Sequence, residues 1–283
     1  MNDLCESMIP IRPFLKWPGG KRWLIERKLV KFPAHTKRYI EPFLGGGAVY
    51  FGIASGTAIL ADSNSRLIET YRAVRDGYRV VERRLVEYQD LHCKEFYYLE
   101  RARSYKNRFQ RAAQFIYLNR TCFNGMYRVN KKGEFNVPLG TKTGVLLGDD
   151  FRAISRTLRS AELRVSDFEE TVGLASEGDL LFADPPYTVK HNKNGFLKYN
   201  ENIFSWDDQV RLKDALVAAQ QRGASVICTN ADHESIRELY EPHFSISGIK
   251  RLSVLAAKSN ARSAVSEVII SNIPKEINWT GTY

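Results

Sequence analysis

The residues with the most chemistry in this chain are Asp184-Pro185-Pro186-Tyr187, directly after the apolar run Leu180-Leu181-Phe182-Ala183. Such a run reads as a strand buried on both faces, and ligands collect at the carboxyl ends of strands of this kind. A carboxylate, a carbonyl and a flat ring together suit an aromatic amine. That amine is a poor nucleophile because its lone pair is delocalised into its ring. Hydrogen bonds to the Asp184 carboxylate and the Pro185 carbonyl would draw the nitrogen towards tetrahedral geometry and free the lone pair to attack a sulfonium methyl group in line. Pro185 and Pro186 fix φ, so the carbonyl is aimed in advance. Tyr187 offers a face on which a base can stack. The tetrapeptide is also what an ordinary turn after a strand would use, so its neighbours must decide.

Three further segments bear on that decision. Glu41-Pro42-Phe43-Leu44-Gly45-Gly46-Gly47 follows the short apolar run Tyr39-Ile40 and precedes a helical stretch from Ala48. Strand, glycine turn and helix in that order belong to nucleotide-binding α/β folds, where Gly45 and Gly47 let backbone approach a ligand. Asp62 ends the next apolar run, Ala58 to Ala61, where a carboxylate could bind ribose hydroxyls or cap a helix. No Lys-Ser/Thr pair follows the glycines, so a nucleoside fits better than a triphosphate. Phe14-Leu15-Lys16-Trp17-Pro18-Gly19-Gly20-Lys21 places Trp17 and Lys21 beside a Gly-Gly turn. Those two suit an anionic, partly apolar ligand end such as a methionine moiety, although a plain loop anchored by Trp17 would look the same.

The elements that must position these residues alternate between strand and helix. Strands are expected at Tyr39-Ile40, Ala58–Ala61, Leu163–Val165, Leu180–Ala183 and Ser225–Cys228, and an antiparallel pair at Ser245–Leu252 and Val265–Ile270. Ser205 with Asp208 reads as a helix start and Gly223 as its end. Between Asn64 and Asn119 the pattern becomes charged, aromatic and helical. Leu67, Ile68, Tyr71 and Val74 share a face that Val81 and Leu85 continue, and Gly77 interrupts it. Further helices are expected over Glu95–Tyr105 and Arg108–Asn119, then a hairpin over Tyr127–Val137 turning at Lys132-Gly133. The basic stretches Lys190 to Lys198, with Tyr199 beyond, and Ala256 to Ser263 read as loops.

The charge is uneven. Of a net +10, the segment Arg66–Gly148 carries +9, from 17 Lys and Arg against 8 Asp and Glu. A concentrated basic segment favours a polyanion such as nucleic acid. Within it lies Asn119-Arg120-Thr121-Cys122-Phe123-Asn124-Gly125-Met126-Tyr127-Arg128, then Gly133-Glu134-Phe135-Asn136-Val137-Pro138. Arg can grip a guanine edge with two hydrogen bonds in the major groove, and an aromatic can fill a stack that has lost a base. A packed hairpin with solvated basic residues remains the plainer alternative. A parallel-sheet domain, residues 1–65 and 149–283, thus reads as split by a mostly helical insertion, residues 66–148.

Composition excludes other classes. No apolar run is long enough to span a membrane, and Met1 to Pro10 does not read as a secretory signal. Four scattered cysteines and five scattered histidines form no metal pattern, which leads us to expect a reduced, cytoplasmic protein without a metal.

Taken in order, the four motifs resemble the Dam family, the D12 class of DNA adenine-N6 methyltransferases, from Phe14 to about Asn272. The resemblance implies a Rossmann-like S-adenosylmethionine-dependent domain with an inserted, mostly helical target-recognition domain that contains a β-hairpin. It implies methyl transfer to N6 of an adenine flipped out of double-stranded DNA, within GATC. Trp17, Lys21, Glu41, Pro42, Phe43, Gly45, Gly47, Asp62 and Asp184 would line the cofactor site, and Asp167-Phe168 would hold its adenine. Phe123 would enter the DNA stack with Asn124 in support. Arg128 would read the guanine before the target adenine, and Met126 and Pro138 the distal bases, with Arg120 and Asn136 among the DNA contacts. The segment Val254 to Ser263 departs from the family pattern. A restriction endonuclease acting on the same site is a partner that such an enzyme can have. Methylation of another DNA site or of RNA, or of a protein amide, and a non-catalytic DNA-binding role, are the competing readings.

Overall fold

Short apolar runs ending in a polar residue become the parallel strands. In the computed structural model, which describes residues 11–30, 32–33, 35–53, 56–130, 132–190, 204–252 and 264–273, these strands are β1 (Tyr39–Glu41), β2 (Ala58–Asp62), β3 (Ala161–Val165), β4 (Leu180–Ala183) and β5 (Ser225–Ala231), followed by β6 (Ser245–Leu252) and β7 (Ala264–Ser271). The seven strands form a mostly parallel sheet in the order β3-β2-β1-β4-β5-β7-β6. The chain divides into two compact units, Met1–Val30 with Leu44–Val165, and Lys31–Phe43 with Ser166–Tyr283.

In the first unit, β2 and β3 pair in parallel from Ala58 opposite Ala161 to Asp62 opposite Val165. The helices are α1 (Arg22–Glu26), α2 (Ala48–Ile53), α3 (Ser65–Leu91), α4 (Lys94–Ala102), α5 (Arg108–Thr121) and α6 (Phe151–Leu158). Asn64 starts α3 by accepting hydrogen bonds from the backbone N–H groups of Arg66 and Leu67, as a capping side chain does. The expected face of α3 is the buried one: Leu67, Ile68, Tyr71, Val74, Val81 and Leu85 are all sealed. At Gly77 the helix kinks. A Cβ there would lie 2.5 Å from the Phe109 ring of α5, so glycine lets the two helices close up. The helix expected over Glu95–Tyr105 stops at Ala102, and the Tyr105 hydroxyl instead donates to the buried Glu100 carboxylate at 2.9 Å. All of residues 66–148 fall within this unit.

The expected hairpin is looser than a two-stranded ladder. Its strands meet at two isolated bridges, Cys122 with Leu139 and Val129 with Phe135. On either side of it, Asn124 has φ +55, which bends the chain, and Pro138 has no N–H to give. What holds the segment is local pairing, Phe123 N–H to Pro138 O at 2.9 Å and Asn130 N–H to Glu134 O at 2.9 Å. In addition, Tyr97 of α4 donates its hydroxyl to Val137 O at 2.9 Å.

In the second unit, β1, β4 and β5 run parallel, while β7 is antiparallel to both β5 and β6. The helices are α7 (Phe168–Gly173), α8 (Trp206–Gln221) and α9 (Glu234–Tyr240). Ser205 and Asp208 form the expected reciprocal capping box on α8, and Gly223, at φ +88, follows its end. The Arg38 side chain grips both Asp179 carboxylate oxygens, at 3.0 and 2.6 Å, and so ties the segment before β1 to the one before β4. The helices α1, α6, α7 and α9 were not anticipated. Most of the two basic stretches, residues 191–199 and 256–263, lies outside the described residues.

Candidate active site and nucleic-acid interface

Several of the candidate side chains are placed by the end of a strand or helix. In the second unit, β4 is buried along its length and delivers Asp184 to Tyr187 immediately beyond it. The Asp184 carboxylate accepts the Thr229 hydroxyl at 2.6 Å. The Tyr187 hydroxyl donates to Glu267 at 3.0 Å. Burial first, then the negative charges of Asp184 and Glu267, hold the Tyr187 phenol well above its ordinary range, so it stays a donor. Pro185 is buried and Pro186 half-buried. Thr229 and Glu267 were missed by sequence reasoning. The available signals were a hydroxyl just past the apolar run of β5, and a lone carboxylate beside Val268-Ile269-Ile270.

An aromatic cluster lies in the same unit. Phe43 stacks on Phe168, with centroids 5.4 Å apart and planes 23° apart, and meets Phe204 edge-on at 5.6 Å. Asp167 caps α7 through the Glu169 N–H and also accepts from Arg211 at 3.1 Å. Glu41, buried at the end of β1, accepts the Tyr39 hydroxyl at 3.0 Å, and Pro42 beside it is buried.

In the first unit, Asp62 ends β2 and accepts from Gly45 N–H at 3.0 Å and Asn64 N–H at 2.9 Å. Burial raises its pKa while those two hydrogen bonds lower it, and burial prevails. Gly45 has φ +48, and a Cβ on it would lie 2.7 Å from the Trp17 indole, so only glycine fits. Trp17 therefore packs against the glycine loop, near enough to Gly46 that a Cβ there would also be crowded, at 3.1 Å. Gly47, at φ +65, is closed in by Tyr71 and Phe51. Lys21 is buried, and its ammonium donates to Gly19 O at 2.7 Å.

The same unit carries the candidate DNA-facing residues. Phe123 is 47% exposed, on a single 3-10 turn at the end of α5. Asn124 and Pro138 are exposed and Met126 half-buried. Arg128 is exposed, and its Nε donates to Asn136 Oδ1 at 2.8 Å, which holds the guanidinium by one edge and leaves the other outward. Arg120 corrects the expectation of a DNA contact: it is fully buried. Its guanidinium donates to Phe14 O, to Val145 O and to Asp149, the last at 2.8 Å. Every donor edge it could offer a phosphate is committed to the interior. Its neighbour Asn119 both accepts from Lys16 N–H at 2.8 Å and donates to Lys16 O at 2.7 Å. Trp17 also stacks on Tyr127, with centroids 5.9 Å and planes 21° apart. Segment 14–17 and the hairpin are thus fastened together within one unit.

Among the described residues, no helix is long and apolar enough to cross a membrane, and no group of three or more His, Cys, Asp or Glu is placed to hold a metal. Comparison with known proteins adds three relatives. The chain is 35% identical to the Type II methyltransferase M1.LlaDCHI of Lactococcus lactis subsp. cremoris, over 96% of this chain and 99% of the relative. It is 33% identical to the Type II methyltransferase M.MjaIII of Methanocaldococcus jannaschii, over 93% and 99%. It is 35% identical to a DNA adenine methylase of Haemophilus influenzae, over 81% and 82%. The model of the D12 class matches residues 17–255. With the tetrad at the end of β4, the seven-stranded sheet and these matches in agreement, the chain belongs to the D12 class of N6 adenine-specific DNA methyltransferases.

Proposed function

We propose that the protein transfers a methyl group from S-adenosylmethionine to N6 of an adenine flipped out of duplex DNA, within the site GATC. The observation that carries this reading is the tetrad itself: Asp184 and Tyr187 stand at the carboxyl end of β4, each held by a buried side chain, Thr229 and Glu267.

The residues present fit the cofactor. A nucleoside needs backbone without side-chain bulk and a carboxylate for its ribose, and Gly45 beside Asp62 meets that need. Phe43 and Phe168 would hold the adenine ring, and Trp17 and Lys21 the methionine end. When bound, the cofactor supplies an electrophilic methyl group. Asp184 and the Pro185 carbonyl would accept the two N6 hydrogens of the target base and turn its lone pair out of conjugation. Tyr187 would stack on the ring. The N6 nitrogen would gain the methyl carbon as its bond to the sulfonium sulfur breaks, leaving a neutral thioether, and would then pass one proton to solvent. The preset carbonyl and carboxylate favour the charge that builds on nitrogen.

Residues 66–148 would form the target-recognition domain, drawn to phosphates by their positive excess, with affinity falling steeply as salt rises. Phe123 would fill the stack vacated by the base, after an unstacking cost of a few kcal/mol. The outward edge of Arg128 would read a guanine, with Asn124, Met126, Asn136 and Pro138 around it.

The test is incubation with radiolabelled S-adenosylmethionine and two matched unmethylated duplexes, one with GATC and one with that site scrambled. Label in the GATC duplex alone is expected. Label in both would remove the site assignment; label in neither would point to another target sequence or to RNA if S-adenosylmethionine still binds, and would remove the reading of the tetrad if it does not.

A further inference from the structure

Glu267 is a buried carboxylate with no part in the chemistry set out above. It lies in β7 beside the apolar run Val268-Ile269-Ile270 and is 1% exposed. Burying a carboxylate is costly unless it is paired or well hydrogen-bonded. Its partner across the β5–β7 ladder is Ala231. Residues directly opposite in a ladder share a face, and so does the residue two places along a strand. Thr229 and Glu267 therefore lie on one face, and the small Ala231 side chain leaves room beside the carboxylate.

From that face come two hydrogen bonds to the tetrad: Thr229 to Asp184 at 2.6 Å, and Glu267 from Tyr187 at 3.0 Å. The phenol is kept protonated by its burial and by the two carboxylates near it. It is therefore a donor facing a group that, ionised, can only accept. Rotation of the Tyr187 side chain away from this position would leave the carboxylate and the hydroxyl both buried and short of that bond.

We propose that Glu267 is a positioning residue that holds the Tyr187 ring in the orientation in which a base can stack beside Asp184 and Pro185. This rests on the reading of the tetrad as the methyl-transfer site. Glu267 touches neither base nor methyl group; it acts through Tyr187.

The test measures kcat, the KM for a GATC duplex and the Kd for S-adenosylmethionine in the wild type, Glu267→Ala, Glu267→Gln, Tyr187→Phe and the Phe/Ala and Phe/Gln doubles. Glu267→Ala should lower kcat about ten- to a hundred-fold, as misplacement of a reacting partner does, with cofactor Kd unchanged. Glu267→Gln keeps an accepting oxygen and should recover most of that loss. In the Tyr187→Phe background, replacing Glu267 should add little, because the bond it serves is gone. Losses that multiply would overturn the proposal, as would Gln as poor as Ala. If Glu267→Ala does not fold, the Phe, Gln and Phe/Gln variants decide by the same rule. A wild type that neither methylates a duplex nor binds S-adenosylmethionine overturns the reading of the tetrad and this assignment with it. An active wild type with multiplying losses overturns this assignment alone.

Discussion

Asp184 accepts a hydrogen bond from Thr229 and Tyr187 donates one to Glu267; Thr229 and Glu267 are both sealed in strands of the sheet. Phe123 and Arg128 stand in the open, and Arg128 is steadied by Asn136 of its own hairpin. The difference follows from when each group must be in place. Groups that stabilise developing charge act best when they need no reorganisation at the moment of reaction. Groups that test a sequence must exchange water for a base edge, so they are left wet and are ordered by the DNA itself. Burial, more than residue type, separates the two regions.

The largest expected effect breaks the comparison from inside residues 66–148. Arg120 lies eight positions before Arg128 but is sealed like Thr229 and Glu267 behind the tetrad. Arg120→Ala should cost about 3–5 kcal/mol of stability, since it leaves Asp149 and two backbone carbonyls buried without their donor. Denaturant unfolding measures this, and a shift below about 1 kcal/mol would mean that Arg120 is not the interior strut described. Next, Asp184→Ala should reduce methyl transfer at least about 100-fold, as loss of a preset electrostatic partner does, while DNA affinity stays the same in a filter-binding assay. Undiminished turnover would place the chemistry elsewhere.

Smaller effects sharpen the contrast. Arg128→Ala should relax discrimination at one base by about 1–3 kcal/mol without lowering the melting temperature. Turnover on duplexes with each base of the site substituted in turn measures it, and an unchanged preference would take Arg128 out of the reading role. The smallest is Phe123→Ala, expected to change stability by no more than about 0.5 kcal/mol, as at an ordinary surface position. Its signature would be weaker flipping, read from 2-aminopurine fluorescence at the target adenine. A large loss of stability would show that Phe123 packs rather than probes.

Much of this was legible in the sequence because the signals are local. The apolar runs of β2, β4 and β5 and the Ser205–Asp208 box each sit within a few residues of their consequence. The short helices α1, α7 and α9 span five to seven residues, too few for a period to show. Thr229 and Glu267 were hidden because their partners lie 45 and 80 residues away. Arg120 was misread for a related reason. Its type and setting matched a phosphate ligand, and only the fold reveals that Phe14, Val145 and Asp149 already enclose it.

The joint between residues 14–17 and the end of α5 bears on how such an enzyme could be re-engineered. Asn119 clasps the backbone of Lys16 on both sides, Arg120 holds the carbonyl of Phe14, and Trp17 lies on Tyr127. A Cβ on Gly125 would come within 2.9 Å of the Lys16 side chain. A hairpin grafted from a relative with another site preference would arrive without its matching socket. The smallest cassette that can be exchanged between relatives is therefore discontinuous: residues 119–138 together with 14–17, two stretches a hundred positions apart that must be moved as one part.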